Sequence, residues 1–275
     1  VRTTLSGRPP TSKEGDGTSG RLPALLKEGE AASVNAERLD YSGGNGRAEY
    51  DGSASLLQGN TAIRADLIVL DQQKGDLVAS GSARSALMLD SGQTDGRANE
   101  IRYDEAKRMV TYSSAGVAPT TGQKTSSPLA QVVGANGDLR AERIEVVLAG
   151  QENAVERLEG YTRVTMVLGQ RTATGGRLTY HAKEERYLMS GSGATPVTLR
   201  ESCRETTGRT LTFFKSTDRI IVDGDETRRT ETKPCTPPQS TRPMEVRRPY
   251  ASGFGTTRRT TSPRTGGPTP SRSVP

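Results

Sequence analysis

The chain has 275 residues, of which only 31% are apolar, with no Trp, three Phe, 31 Gly and 15 Pro. This length can bury one sizeable core, but the thin apolar content and many turn formers argue against a helical bundle and for short strands. The net charge of +6 does not make the body cationic. From Thr236 onward seven arginines face Glu245 alone, whereas residues 1–235 balance 31 basic against 31 acidic side chains, so any polyanion contact is confined to the tail. Those arginines are dispersed, and nucleic acid is not an expected partner.

No stretch approaches the roughly 18–20 apolar residues of a membrane-spanning helix. The chain starts at Val1 rather than Met, which leaves room for a removed signal peptide or a membrane anchor on a segment not present here. Residues 1–32 are rich in Gly, Ser, Thr, Pro and charge, with one short apolar patch at Leu22–Leu26. They are expected to be a flexible leader, because so few apolar groups cannot offset the entropy of ordering them.

A repeated frame begins at Ala36. It has a small residue, an apolar residue three positions on, a second apolar or aromatic residue two further, and a glycine sixteen positions after the start. Full copies start at Ala36 (Leu39, Tyr41, Gly52), Ala65 (Ile68, Leu70, Gly81), Gly175 (Leu178, Tyr180, Gly191) and Gly208 (Leu211, Phe213, Gly224). Imperfect copies start at Ala98 (Ile101, Tyr103, Ser114) and Ala141 (Ile144, Val146, Gly160). Successive starts lie 29, 33, 43, 34 and 33 residues apart, a spacing typical of repeat architectures.

Apolar residues two apart lie on one face of a strand. A second alternation precedes each closing residue, as at Tyr187 and Met189, and turn formers such as Ser42–Gly46 and Asp71–Asp76 separate the two runs. Each copy therefore reads as a β-hairpin. A helix competes briefly at Ala141–Leu148, but Val146, Val147 and Gly150 favour a strand. The run Tyr161–Leu168 reads as an extra strand with Val164, Met166 and Leu168 on one face. Ala118–Gln131 is a polar insertion expected to be a long loop, and residues 234–275 are expected to be a disordered Pro/Arg-rich tail.

The hairpin motifs resemble the OstA-like β-jelly-roll family, the Lpt-type periplasmic proteins of lipopolysaccharide transport in Gram-negative bacteria. The residues carrying this resemblance are Ala36–Tyr41 (AERLDY), Gly59–Asp66 (GNTAIRAD), Leu77–Ala83, Ala98–Tyr103 (ANEIRY), Gly175–Tyr180 (GGRLTY) and Tyr187–Gly193. It implies an all-β, twisted open β-jelly roll of about six consecutive hairpins over residues 33–233, in the periplasm, with disordered termini. It implies further that Leu39, Tyr41, Ile68, Leu70, Ile101, Tyr103, Ile144, Val146, Leu178, Tyr180, Tyr187, Met189, Leu211 and Phe213 line an apolar trough for lipid A acyl chains. Edge strands would pair with other Lpt-type jelly rolls, or with further copies of the chain, to bridge the inner and outer membranes. On pattern alone the same inward residues are the core of any β-sandwich or solenoid, so a carbohydrate-active β-solenoid enzyme and a structural cell-surface repeat protein stand as alternatives.

Cys203 and Cys235 bracket the last hairpin, so an antiparallel pairing could bring them into a disulfide; two free thiols are the other reading. Two cysteines and the single His181 fit no zinc spacing, and nothing calls for another metal or a cofactor. A catalytic triad could use only His181, and Asp40, Asp66 and Asp104 fall in separate copies where acids are ordinary solvated residues. The chain is therefore expected to have no catalytic residues.

Overall fold

The computed structural model describes residues 1–6, 21–27, 29–114, 128–150, 153–193, 195–224 and 230–234, all within a unit spanning Val1–Pro237. Among the described residues, nineteen strands form one continuous antiparallel sheet. The first seven are β1 (Arg2–Ser6), β2 (Ala31–Asn35), β3 (Arg38–Ser42), β4 (Arg47–Gln58), β5 (Thr61–Asp71), β6 (Asp76–Leu89) and β7 (Gly92–Asp104). Then follow β8 (Met109–Ser113), β9 (Ala130–Gly134), β10 (Gly137–Ala141), β11 (Arg143–Ala149), β12 (Ala154–Leu168) and β13 (Arg171–His181). The last six are β14 (Arg186–Ser190), β15 (Val197–Glu201), β16 (Arg204–Gly208), β17 (Thr210–Phe214), β18 (Arg219–Asp223) and β19 (Glu231–Pro234).

Each copy of the sequence frame folds as an antiparallel hairpin: β3 with β4, β5 with β6, β7 with β8, β11 with β12, β13 with β14 and β17 with β18. The hairpins do not end where the frame ends. Strands β4, β5, β6, β7, β12 and β13 run 11 to 15 residues, about twice the usual length, because each continues past a bend into a second wall. The hairpin arms make wall one, from β3 to β18. The continuations of the long strands, joined by β1, β2, β9, β10, β15, β16 and β19, make wall two. The result is an open jelly roll with a corner along one side and a mouth along the other.

The bend explains the closing glycine. Ladder register slips at Asp51/Ala54, Arg64/Leu67, Ser80/Ala83 and Tyr161/Val164, and such bulges turn a strand through a corner. Gly81 has φ +83°, followed by Ser82 at +47°, and a Cβ on Gly81 would collide with the Asp66 side chain of the neighbouring strand. Only glycine tolerates both demands. Backbone bonds running along the corner keep the bent residues paired: Ser114 N–H to Glu142 O at 2.8 Å, Glu142 N–H to Thr162 O at 3.0 Å, and Arg209 N–H to Asp223 O at 2.7 Å.

Side chains alternate between one shared apolar interior and solvent on both walls. Three expectations for the irregular segments need correction. The leader is not simply flexible: β1 pairs with β2 from Arg2↔Asn35 to Ser6↔Ala31, since an existing sheet edge can recruit a polar strand through its backbone alone. Within the same segment Leu25 and Leu26 are only 5% and 4% exposed, each burial contributing about 1.5–3 kcal/mol. The Ala118–Gln131 loop is shorter than expected, because Ala130 and Gln131 begin β9. Pro234 ends β19 rather than opening the tail; residues 115–127 and 235–275 lie outside the described residues.

Gly81→Ala is expected to lower stability by about 1–3 kcal/mol through the left-handed backbone and the Asp66 contact. Denaturant unfolding of the parent and variant measures the difference.

Candidate functional site

The cross-strand register joins the frame's apolar positions into two unbroken rows along wall one. One row runs Leu39, Tyr50, Ile68, Ala79, Ile101, Tyr112, Ile144, Gly160, Leu178, Met189, Leu211, Val222. The other runs Tyr41, Ala48, Leu70, Leu77, Tyr103, Val110, Val146, Leu158, Tyr180, Tyr187, Phe213, Ile220 through the same pairings. Neither contains a charged residue. Of the fourteen trough residues expected from the sequence, twelve are buried in these rows. Leu39 is only partly buried, and Tyr41 is 47% exposed. Both sit on β3, which pairs only with β4 among the described strands, so Tyr41 has no second neighbour to cover it.

Wall two supplies the facing residues, which the frame does not mark. Its inner row runs Val34, Leu56, Ile63, Ser85, Gly96, Val132, Leu139, Met166, Ala173, Leu199, Thr206, Thr232. Alternation in the Gly59–Asp66 and Tyr161–Leu168 runs signals part of it. The serine, glycine and threonines hide the rest.

The two walls touch at a waist. Tyr112 of wall one lies directly on Gly96 of wall two, where any Cβ would run into its ring, and its hydroxyl shares a 3.0 Å hydrogen bond with Ser85 Oγ. Burial pushes the Tyr112 phenol up to about 12, against the lowering effect of Ser85, so it stays a neutral partner.

Narrow apolar clefts between the walls open to solvent. One is lined by residues including Leu89, Val132, Leu139, Leu158 and Met166. A second lies between Met166, Ala173 and Leu199 of wall two and Leu178, Tyr187, Met189, Leu211 and Phe213 of wall one. Stacked rings floor the second: Tyr180 and Tyr187 centroids are 4.4 Å apart, and Tyr187 and Phe213 5.8 Å. Polar groups at its mouth tie the walls together. Tyr187 donates to Asn136 O at 3.0 Å, and Arg171, set over the Phe213 ring, donates to Glu201 Oε1 at 2.6 Å and to both oxygens of Asp218. Such a lining offers apolar contact and almost no polar recognition.

Polar chemistry lies elsewhere. On the outer face of wall one, Glu159 accepts from Tyr161 and Arg177, both at 2.6 Å, and pairs with Arg157 at 3.1 Å, while Arg143 and Arg177 flank the Tyr161 ring. Burial raises the Glu159 carboxyl, but these hydrogen bonds and charges outweigh it and hold the pKa below its ordinary value. Asp104 accepts from Lys107 in a turn, Asp66 lies beside Gly81, and Asp40 is exposed on β3. These acids are not brought together. His181 ends β13 before a single 3-10 turn, and among the described residues no cluster of three metal-ligating side chains occurs. Cys203 is an exposed free cysteine, whereas the disulfide expectation paired it with Cys235, which lies outside the described residues.

Residues 33–127 match the family model described as LptA/(LptD N-terminal domain) LPS transport protein. This part of the chain is similar to that family. Among solved structures, the chain is similar to LptH of Pseudomonas aeruginosa, described as the LptA-homologous periplasmic component of the lipopolysaccharide transport device. The likeness has 17% identity and a TM-score of 0.39, covering 50% of this chain and 94% of that one. No curated protein matches the chain. Within the matched region lie the end of β2, β3 to β8, the first three frame copies and the Tyr112–Gly96 waist.

Tyr112→Phe is expected to cost about 1–2 kcal/mol by leaving Ser85 Oγ unpaired in the interior, measurable by denaturant unfolding. Glu159→Gln is expected to cost about 1–3 kcal/mol at neutral pH. Because the Glu159 pKa is depressed on folding, its contribution is full above the ordinary 4.5 and is lost as pH falls through the folded value. The stability gap between parent and variant, followed by unfolding across pH, is expected to close on acidification.

Proposed function

We propose that this chain is a non-enzymatic periplasmic carrier that binds the acyl chains of lipopolysaccharide between its two walls and passes the lipid along a bridge of jelly rolls. The observation that carries this reading is the pair of uncharged rows across wall one, which face an open apolar cleft rather than closing fully on wall two. The LptA/LptD-type match of residues 33–127 supports it. Acyl chains need contact area and exclusion of water, and gain nothing from nucleophiles or acid–base pairs. Movement along rows of equivalent apolar side chains needs no polar bond to be broken at each step.

Bridge formation follows from the sheet edges. Among the described strands, β3 and β18 each have one neighbour, so their outer N–H and C=O groups are available to another chain. The partner is an Lpt-type jelly roll or a second copy, whose pairing continues the rows that end at Leu39 and Tyr41 on one side and at Val222 and Ile220 on the other.

Saturable binding of lipid A to the purified chain is expected, with Leu199→Glu and Phe213→Asp each weakening it at least about tenfold while far-UV circular dichroism is retained; tenfold corresponds to about 1.4 kcal/mol. Folded variants that bind as tightly as the parent would remove the acyl-cleft reading. Asp40→Pro, which takes an N–H from the β3 edge, is expected to abolish self-association in sedimentation experiments. Association that persists at parental strength would rule out pairing through β3.

A further inference from the structure

We propose that residues 21–27 are a displaceable plug, filling the N-terminal end of the interior until an incoming acyl chain drives them out. This inference rests on the acyl-carrier reading above and adds a gate to it.

The segment crosses the mouth on the side away from the corner, tied to both walls. On wall one, Arg21 N–H donates to Gln72 O at 2.9 Å, and the Arg21 guanidinium donates to Glu105 Oε1 at 3.0 Å. Ala24 N–H donates to Glu105 Oε2 at 2.8 Å, and Asn153 Nδ2 donates to Leu25 O at 3.2 Å. Gln72, Glu105 and Asn153 belong to three successive hairpin turns, those following β5, β7 and β11. On wall two, Gln58 at the end of β4 accepts from Lys27 N–H at 2.6 Å and donates to Lys27 O and Glu30 O at 3.0 and 2.9 Å. Between these ties, Leu25 and Leu26 enter the same apolar cluster that the rows of both walls form.

Three features make this a plug rather than a fixed part of the core. The segment forms no strand, so its attachment is a series of separate hydrogen bonds, most of them to side chains, each breakable without unzipping a ladder. Its buried content is Pro23, Leu25 and Leu26, apolar groups like those of an acyl chain, held where the interior meets the mouth. The clefts described above are lined by residues at or beyond Leu89, away from the end that the segment covers. An acyl chain extending toward β3 from those clefts competes directly with Leu25 and Leu26. The two occupants exchange like for like, and the amides of Gln58 and Asn153, released at the mouth, can then bond to water.

Hydrogen exchange on the full chain, with and without saturating lipid A, tests this, because the Ala24 and Lys27 amides are bonded to side chains of the walls. Protection of residues 21–27 is expected to be lost when lipid A saturates the chain. Glu105→Gln, which weakens the ties to Arg21 and Ala24, is expected to bind lipid A roughly threefold to tenfold more tightly, as a larger open population raises apparent affinity. Leu25→Ser with Leu26→Ser, which removes the apolar plug without touching the walls, is expected to do the same. Saturable lipid A binding that leaves protection of residues 21–27 intact would overturn the plug while preserving the carrier. Absence of lipid A binding by parent and variants alike would overturn the carrier itself, and the plug with it.

Discussion

The corner is the constraint on which the rest of this structure depends. Six long strands must each bend without losing their ladder, and the side-chain parity on either side of the bend must still point inward. In β5 the inward residues before the bend are Ile63 and Ala65, and those after it are Ile68 and Leu70. The count has shifted by one across the bulge. Without that shift the second half of the strand would present its apolar side to water, since a single-residue slip exchanges the two faces. Bulges, left-handed glycines and the small residues opposite them therefore do more than end a hairpin. They set which face of each wall becomes the interior.

With parity fixed, the interior takes its shape from the few places where the walls differ. Wall one presents a continuous apolar surface; wall two interrupts its own with Ser85 and Gly96, and Tyr112 fills the space this leaves. That contact fixes the separation of the walls near the middle of the molecule, and the clefts open where Met166, Ala173 and Leu199 face the aromatic stack less closely. The charged clusters, such as the one around Glu159, lie on the outer face. They stabilise the walls from the solvent side.

Much of wall one was legible in the sequence, because its hairpins repeat one frame and strict alternation is a strong signal. Residues such as Leu178, Tyr180, Tyr187 and Met189 could be assigned to one face before any register was known. Wall two was faint for a physical reason: its inner positions include serine, glycine, alanine and threonine, which suit close wall-to-wall contact but erase the apolar period. Position within the sheet was also invisible. Tyr41 has the same local pattern as Tyr180 and differs only in lying on an edge strand. The Leu22–Leu26 patch was too short to outweigh its polar flanks, since its stabilisation comes from turns up to 128 residues away in sequence, as in the Asn153 to Leu25 bond.

The two walls also end differently. Past Leu199 the inner row of wall two becomes Thr206 and Thr232, whereas wall one keeps Leu211 and Val222 to its last strand. At this end the interior is therefore polar on one side and apolar on the other, so that the last strands of wall one form a one-sided apolar lip.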